Sequence, residues 1–241
     1  MQIRIFDSAE QACHAAAAVL KAQLLQKPDS VLGLATGSSP IPVYAELVRA
    51  YETGLLDFSR AATFNLDEYV GLAPEHPQSY HFFMEKHLFS RINIRPEAAR
   101  IPDGCAGDLT AEAAAYDEAI RRAGGLDVQL LGIGRNGHIG FNEPGDRFIA
   151  GCHVVDLARN TIAANARFFS AEEEVPRRAI SMGIGSIMRA RQIVLIATGE
   201  SKAEAIARTV CGDMTPQVPA SILQVHPNVL LLLDRPAAGR L

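Results

Sequence analysis

Leu131-Gly-Ile-Gly-Arg-Asn-Gly-His-Ile-Gly-Phe-Asn-Glu-Pro-Gly145 is the stretch that decides how this chain is read. Val128, Leu130, Leu131 and Ile133 predict a buried strand that breaks into a glycine-dense turn. Glycines at 132, 134, 137 and 140 permit positive φ, which other residues resist. Within eight residues, Asn136 to Glu143, the turn carries an amide, an imidazole (His138) and a carboxylate. A strand ending in such a loop delivers side chains to the carboxyl edge of a parallel sheet, where open α/β folds bind ligands. An imidazole beside a carboxylate suits proton transfer. The plainer alternative is a turn whose histidine caps neighbouring backbone, and the combination favours chemistry.

Outward from that stretch, strand and helix patterns alternate. Strands are expected at Ile3–Phe6, Val31–Ala35, Ala61–Leu66, Val128–Ile133, His153–Leu157, Ile193–Ala197 and Val229–Leu233. Helices are expected from Ser8-Ala-Glu-Gln11, a capping box, to about Leu25, and over Ile41–Glu52, Tyr80–Phe89 and Leu109–Ala123. A further capping box, Ser201-Lys-Ala-Glu204, opens the last helix, and Thr161–Phe169 with the charged run 172–178 suggests a helical excursion. This alternation predicts an α/β fold: one open, mainly parallel sheet with helices on both faces, all strand-to-helix loops at one edge. With no repeat or polar linker, residues 1–241 read as a single domain with a possible mobile lid at about 158–178.

Three more strand-end loops bring functional groups to that edge. Leu34-Ala-Thr-Gly-Ser-Ser-Pro40 places Gly37, Ser38 and Ser39 at a helix start, with Ser39 able to cap and Pro40 at the first helical position. Free N–H groups and hydroxyls there fit either a phosphate cradle or an ordinary capped turn. The pattern is neither a Walker loop nor a dinucleotide fingerprint. In Phe64-Asn-Leu-Asp-Glu-Tyr-Val-Gly71, the pair Asp67 and Glu68 could hold a metal, supply a base or cap a helix; with no convincing set of further hard ligands, a base leads. In Ala197-Thr-Gly-Glu-Ser-Lys202, a lysine in a helix's first turn opposes the helix dipole, which hints at a bound anion; the alternative is a solvated surface lysine.

Composition narrows the function classes. The net charge of −4 argues against nucleic acid, and 48% apolar with 21% charged residues is ordinary for a globular protein. No apolar run reaches the roughly 20 residues of a membrane span. Four scattered cysteines without a C-x-x-C pair fit reduced thiols in a cytoplasmic protein, and the amino terminus lacks a secretion signal.

Taken together, these loops closely resemble the glucosamine-6-phosphate deaminase family over about residues 2–235. The likeness lies in the TGSSP turn, in Asn65–Leu72 followed by His76-Pro-Gln-Ser-Tyr80, and in Gly134–Pro144. Asn165-Ala-Arg-Phe-Phe169, Gly199-Glu-Ser-Lys202 and Leu223-Gln-Val-His-Pro227 extend it. The resemblance implies conversion of glucosamine 6-phosphate and water into fructose 6-phosphate and ammonium, an isomerisation ending in hydrolysis, with no metal or other cofactor. It implies Asp67 as the base at C2 and C1, and His138, supported by Glu143 and Asn136, as the ring-opening group. Gly37, Ser38, Ser39, Arg167 and Lys202 would hold the phosphate. Some members carry Asp where this chain has Asn136, so the pH dependence can differ. Regulated hexameric members bind a second sugar phosphate where an ungapped alignment puts Asp146, Arg147, His153 and Val155, and acid and apolar residues there cannot hold a phosphate. A monomer or small oligomer without that control is expected. The rivals are a galactosamine-6-phosphate isomerase-deaminase, a 6-phosphogluconolactonase and a non-enzymatic sugar-phosphate sensor.

Overall fold

The computed structural model describes residues 1–166, 169 and 175–241. In chain order, strand β1 (Gln2–Phe6) leads into helix α1 (Ala9–Gln26), then β2 (Val31–Leu34), α2 (Ile41–Glu52), β3 (Ala62–Asn65) and β4 (Asp67–Tyr69). Next come α3 (Tyr80–His87), β5 (Ala99–Arg100), α4 (Leu109–Arg122), β6 (Val128–Leu131), β7 (His153–Asp156) and α5 (Arg159–Asn165). The chain closes with β8 (Arg178–Ser181), α6 (Ile184–Met188), β9 (Gln192–Ala197), α7 (Ala203–Cys211) and β10 (Val229–Asp234).

Seven strands form the central sheet in the order β1-β10-β9-β6-β2-β3-β5. Every neighbouring pair in it is parallel. Alternation along the strands divides the core. Leu32, Leu34, Val128, Leu130, Val194 and Ile196 face the layer of α1, α2 and α3. Val31, Phe64, Leu131, Ile193, Leu195 and Leu231 face that of α4, α6 and α7. Burial on both faces is why these strands read as continuous apolar runs.

The expected open parallel sheet is therefore present, and a second sheet is added to it. Three antiparallel strands, ordered β4-β8-β7, include His153–Asp156, which was expected alongside the other strands. β7 is half-exposed and pairs only with β8, so its short Val154-Val155 run belongs to a side layer. β8 begins at Arg178, where the charged excursion ends.

Two of the proposed caps differ. Ser8 accepts the Gln11 N–H at 3.2 Å as expected, while the Gln11 side chain accepts from Asp7. Ser39 and Ser201, however, cap nothing, because α2 starts behind Pro40 and α7 behind Lys202. A single 3₁₀ turn, Glu200–Lys202, occupies the place of the second capping box. The expected lid includes residues 167, 168 and 170–174, which lie outside those described. Among the described residues, no helix is long and apolar enough to cross a membrane.

Candidate active site at the carboxyl edge

From β2 the chain moves outward through β3 to β5, then returns to lay β6 on the other side of β2. The crossovers reverse there, and such a switch point opens a crevice beyond the strand ends. The four adjacent strands β9, β6, β2 and β3 carry, just past their ends, Lys202, the 132–145 turn, the TGSSP turn and Asp67.

The two acids after β3 have separate jobs. Glu68 receives N–H groups from Tyr69 at 2.8 Å and from Tyr80 and His81 at 2.9 Å, so it caps α3 together with Ser79. Asp67 is 5% exposed, and no hydrogen bond or ion pair from a described residue reaches its side chain. Burial, with the nearby charge of Glu68, pushes its carboxyl up to about 8. The cap is thus Glu68, and Asp67 takes no part in it.

In the 132–145 turn, Gly137 and Gly140 adopt positive φ, whereas Gly132 and Gly134 do not. Gly134 is required for a different reason: a methyl there would lie 2.4–2.5 Å from three atoms of the His138 ring. The ring is therefore seated on bare backbone. Its Nδ1 lies 3.4 Å from Glu143 Oε2, within ion-pair range but not aligned as a hydrogen bond. Glu143 also accepts from Asn136 Nδ2 at 2.8 Å and Thr161 Oγ1 at 2.5 Å. Asn136 Oδ1 accepts the His138 N–H at 3.1 Å, so one amide braces both partners. Burial pushes Glu143 upward, but His138, Thr161 and Asn136 outweigh it, and the carboxyl ends below its usual range. It is an anion at neutral pH, facing an imidazole.

Gly140 links the two centres. A methyl on it would lie 3.5 Å from Asp67 Oδ2, so the His138 turn passes directly over the Asp67 carboxyl. Around them lies an aromatic floor from three elements. Tyr69 stands 4.9 Å from Tyr80 and 5.6 Å from Phe141, and Tyr80 stacks on Phe141 at 6.0 Å.

Of the expected phosphate ligands, Gly37, Ser38 and Ser39 form the turn between β2 and α2, with Ser38 exposed and Ser39 half-buried. Neither hydroxyl bonds to a described residue. Lys202 is half-buried, and its Nζ donates to the Ile133 carbonyl at 2.5 Å, which sets it beside the His138 turn and against the solvated-lysine alternative. Asp234 shapes its approach by accepting the Gly199 N–H at 2.9 and 3.0 Å. Arg167 lies outside the described residues. Thr161, Asp234, Tyr69 and Phe141 were not singled out from sequence, because their partners are distant along the chain and no local spacing marks them. Among the described residues, no group of three or more His, Cys, Asp or Glu could share a metal ion. Asp146, Arg147, His153 and Val155 do meet, lining a cavity of about 550 Å³ together with Glu143.

Comparison with known proteins agrees with this geometry. Residues 6–231 match the family model for glucosamine-6-phosphate isomerases/6-phosphogluconolactonase. A glucosamine-6-phosphate deaminase from Halothermothrix orenii is 52% identical over 241 residues, covering all of both chains. Glucosamine-6-phosphate deaminase 2 of Bacillus subtilis is 52% identical over 243 residues, covering 100% of this chain and 98% of its own. Among solved structures, a monomeric glucosamine-6-phosphate deaminase superimposes with a TM-score of 0.98 at 43% identity, covering 100% of both chains. A 6-phosphogluconolactonase from Trypanosoma brucei, at 19% identity and a TM-score of 0.76, shares the fold. The chain belongs to the glucosamine-6-phosphate isomerase/6-phosphogluconolactonase family.

Proposed function

We propose that this chain is a glucosamine-6-phosphate deaminase, converting glucosamine 6-phosphate and water into fructose 6-phosphate and ammonium. The observation that carries the reading is Asp67: a buried carboxyl, free of polar partners among the described residues, raised to about 8 beneath the His138 turn. A general base works best with a pKa near the operating pH.

The substrate is mostly a closed ring, and its C2 proton becomes acidic only once C1 is a carbonyl. His138 moves the proton between the C1 hydroxyl and the ring oxygen during opening, and ionised Glu143 stabilises the imidazolium that forms. Asn136 orients both without adding a second negative charge. Asp67 then takes the C2 proton, giving an enolamine, and returns it to C1. The resulting C2 imine is hydrolysed by water, releasing ammonium. Each positioned acid or base contributes on the order of 10²–10⁴-fold. Gly37, Ser38, Ser39, Arg167 and Lys202 hold the phosphate away from the reacting carbons, which fixes orientation.

A lactonase needs no base over C2, because water attacks an ester carbonyl. The buried position of Asp67 supports the deaminase over that alternative. The Asp146, Arg147, His153 and Val155 cavity carries three carboxylates, Glu143, Asp146 and Asp156, so we take the enzyme to work as a monomer or small oligomer without a phosphate effector. Ammonia release is the test, with glucosamine 6-phosphate, its C4 epimer and 6-phosphogluconolactone assayed side by side. Turnover of the glucosamine substrate above both others is expected. Lactone hydrolysis without ammonia release would overturn the reading.

A further inference from the structure

β6 and β3 are not neighbours in the sheet, since β2 runs between them. The main sheet therefore does not itself set the distance between the loops that carry His138 and Asp67. Something beyond the strand ends has to fix it, because a base and an acid acting on adjacent carbons tolerate little play.

The junction after β8 meets that need. Ser181 is paired directly across the antiparallel ladder from Asp67. Its Oγ accepts the Phe141 N–H at 3.0 Å, which ties the His138 turn to the strand opposite the base. One residue on, the Met182 N–H donates to the Leu66 carbonyl at 2.6 Å, anchoring the same junction to the residue before Asp67. Asn142 completes the connection: its Nδ2 donates to the carbonyls of Ile139 and Met182, both at 2.9 Å. Two carbonyl acceptors fix which end of that amide is the nitrogen. Gly140 lies in the gap between these groups. A methyl on it would sit 3.2 Å from Ser181 Oγ and 3.5 Å from both Asp67 Oδ2 and Asn142 Nδ2. Ser181 is fully buried and Asn142 is 6% exposed, so water does not compete for these bonds.

We propose that Ser181, with Asn142 beside it, is a positioning residue that sets the spacing between Asp67 and the His138 turn. The inference rests on the deaminase reading and deepens it. Ser181 acts through the Phe141 amide and Asn142 through the Met182 carbonyl, while the phosphate ligands lie on other loops. Loss of the clamp should loosen the two proton-transfer groups relative to each other and leave substrate capture alone.

The test is steady-state kinetics of ammonia release by the wild-type chain, Ser181→Ala, Ser181→Cys and Gly140→Ala. Inorganic phosphate is used as a competitive inhibitor to read the anion site, and thermal unfolding to check the fold. Ser181→Ala should lower kcat by about 10- to 100-fold. KM and the phosphate inhibition constant should stay within about twofold, the signature of an interaction realised in the transition state. Ser181→Cys, with a weaker acceptor, should fall between. Gly140→Ala, which forces a methyl into the gap at a positive φ, should lower kcat with a similar split. An unchanged kcat in a folded Ser181→Ala, or a loss confined to KM, would overturn the clamp while leaving the deaminase reading intact. Should Ser181→Ala not fold, Ser181→Cys decides by the same kcat criterion. A wild-type chain that releases no ammonia would overturn both.

Discussion

Asp67, buried, and Glu143, half-buried, are carboxyls at the same sheet edge, and their surroundings drive them in opposite directions. Asp67 lies at the start of a three-residue strand, with no hydrogen bond to its side chain from a described residue and the Glu68 charge close by; it is raised to about 8. Glu143 sits in a loop that turns Asn136, Thr161 and His138 toward it, and it is held below its usual range. Burial alone does not determine a carboxyl's charge. The donors the chain brings to it do, and a pair driven apart in this way divides base and anion between two otherwise similar groups.

The largest expected effect breaks the Asp67 side of that contrast. Asp67→Asn should lower kcat by about 10²–10⁴-fold, with substrate binding retained, as read by ammonia release and by titration with substrate. The same variant should be more stable than the wild type. The folded chain keeps the Asp67 proton up to about 8, whereas an unfolded aspartate releases it near 3.8. Between those values the folded state binds the extra proton, so wild-type stability falls as pH rises through the window. The advantage of Asn should be small near pH 4 and grow to the order of a few kcal/mol by pH 8. Thermal unfolding of both proteins across that range checks the sign.

Next in size is Glu143→Gln, which keeps the shape and removes the charge facing His138. A kcat loss on the order of 10²-fold is expected, with the low-pH limb of activity weakened because no carboxyl remains there to protonate. Lys202→Ala leaves the contrast intact and tests whether the phosphate grip is separate from it. KM should rise about tenfold or more and kcat should fall less, as for largely uniform binding. The smallest effect belongs to Thr161→Val, which removes one of the donors to Glu143. The acid limb should move to higher pH as that carboxyl returns toward its ordinary range, and kcat should change by only about two- to fivefold, roughly one hydrogen bond.

The alternating strands and helices were legible in the sequence because each is a local pattern, and the glycine turns after Leu34 and Leu131 marked the functional edge. His138 and Glu143 lie in the second of those turns, and Asp67 and Lys202 just past the ends of β3 and β9, so all four could be chosen before any contact was known. The side sheet was not legible. β4 is only Asp-Glu-Tyr, and β8 follows a charged run, so neither shows the apolar signature of a central strand. The division of labour between Asp67 and Glu68 was hidden too, because the groups that engage Glu68 include Tyr80 and His81, more than ten residues away. Ser39 and Ser201 were misread as caps since a serine before a helix looks the same whether the first turn begins beside it or behind the next residues. Thr161 is paired through tertiary contact alone, and spacing gave no sign of it.

The most direct measurement follows the hydrogen at C2. Glucosamine 6-phosphate deuterated at that carbon, given separately to wild type and Asp67→Asn, reports whether the buried carboxyl breaks the bond. Wild-type turnover should carry the label away from C2, to C1 or to solvent, while the variant binds the sugar and leaves the label in place. Release of the label by Asp67→Asn at the wild-type rate would contradict the account.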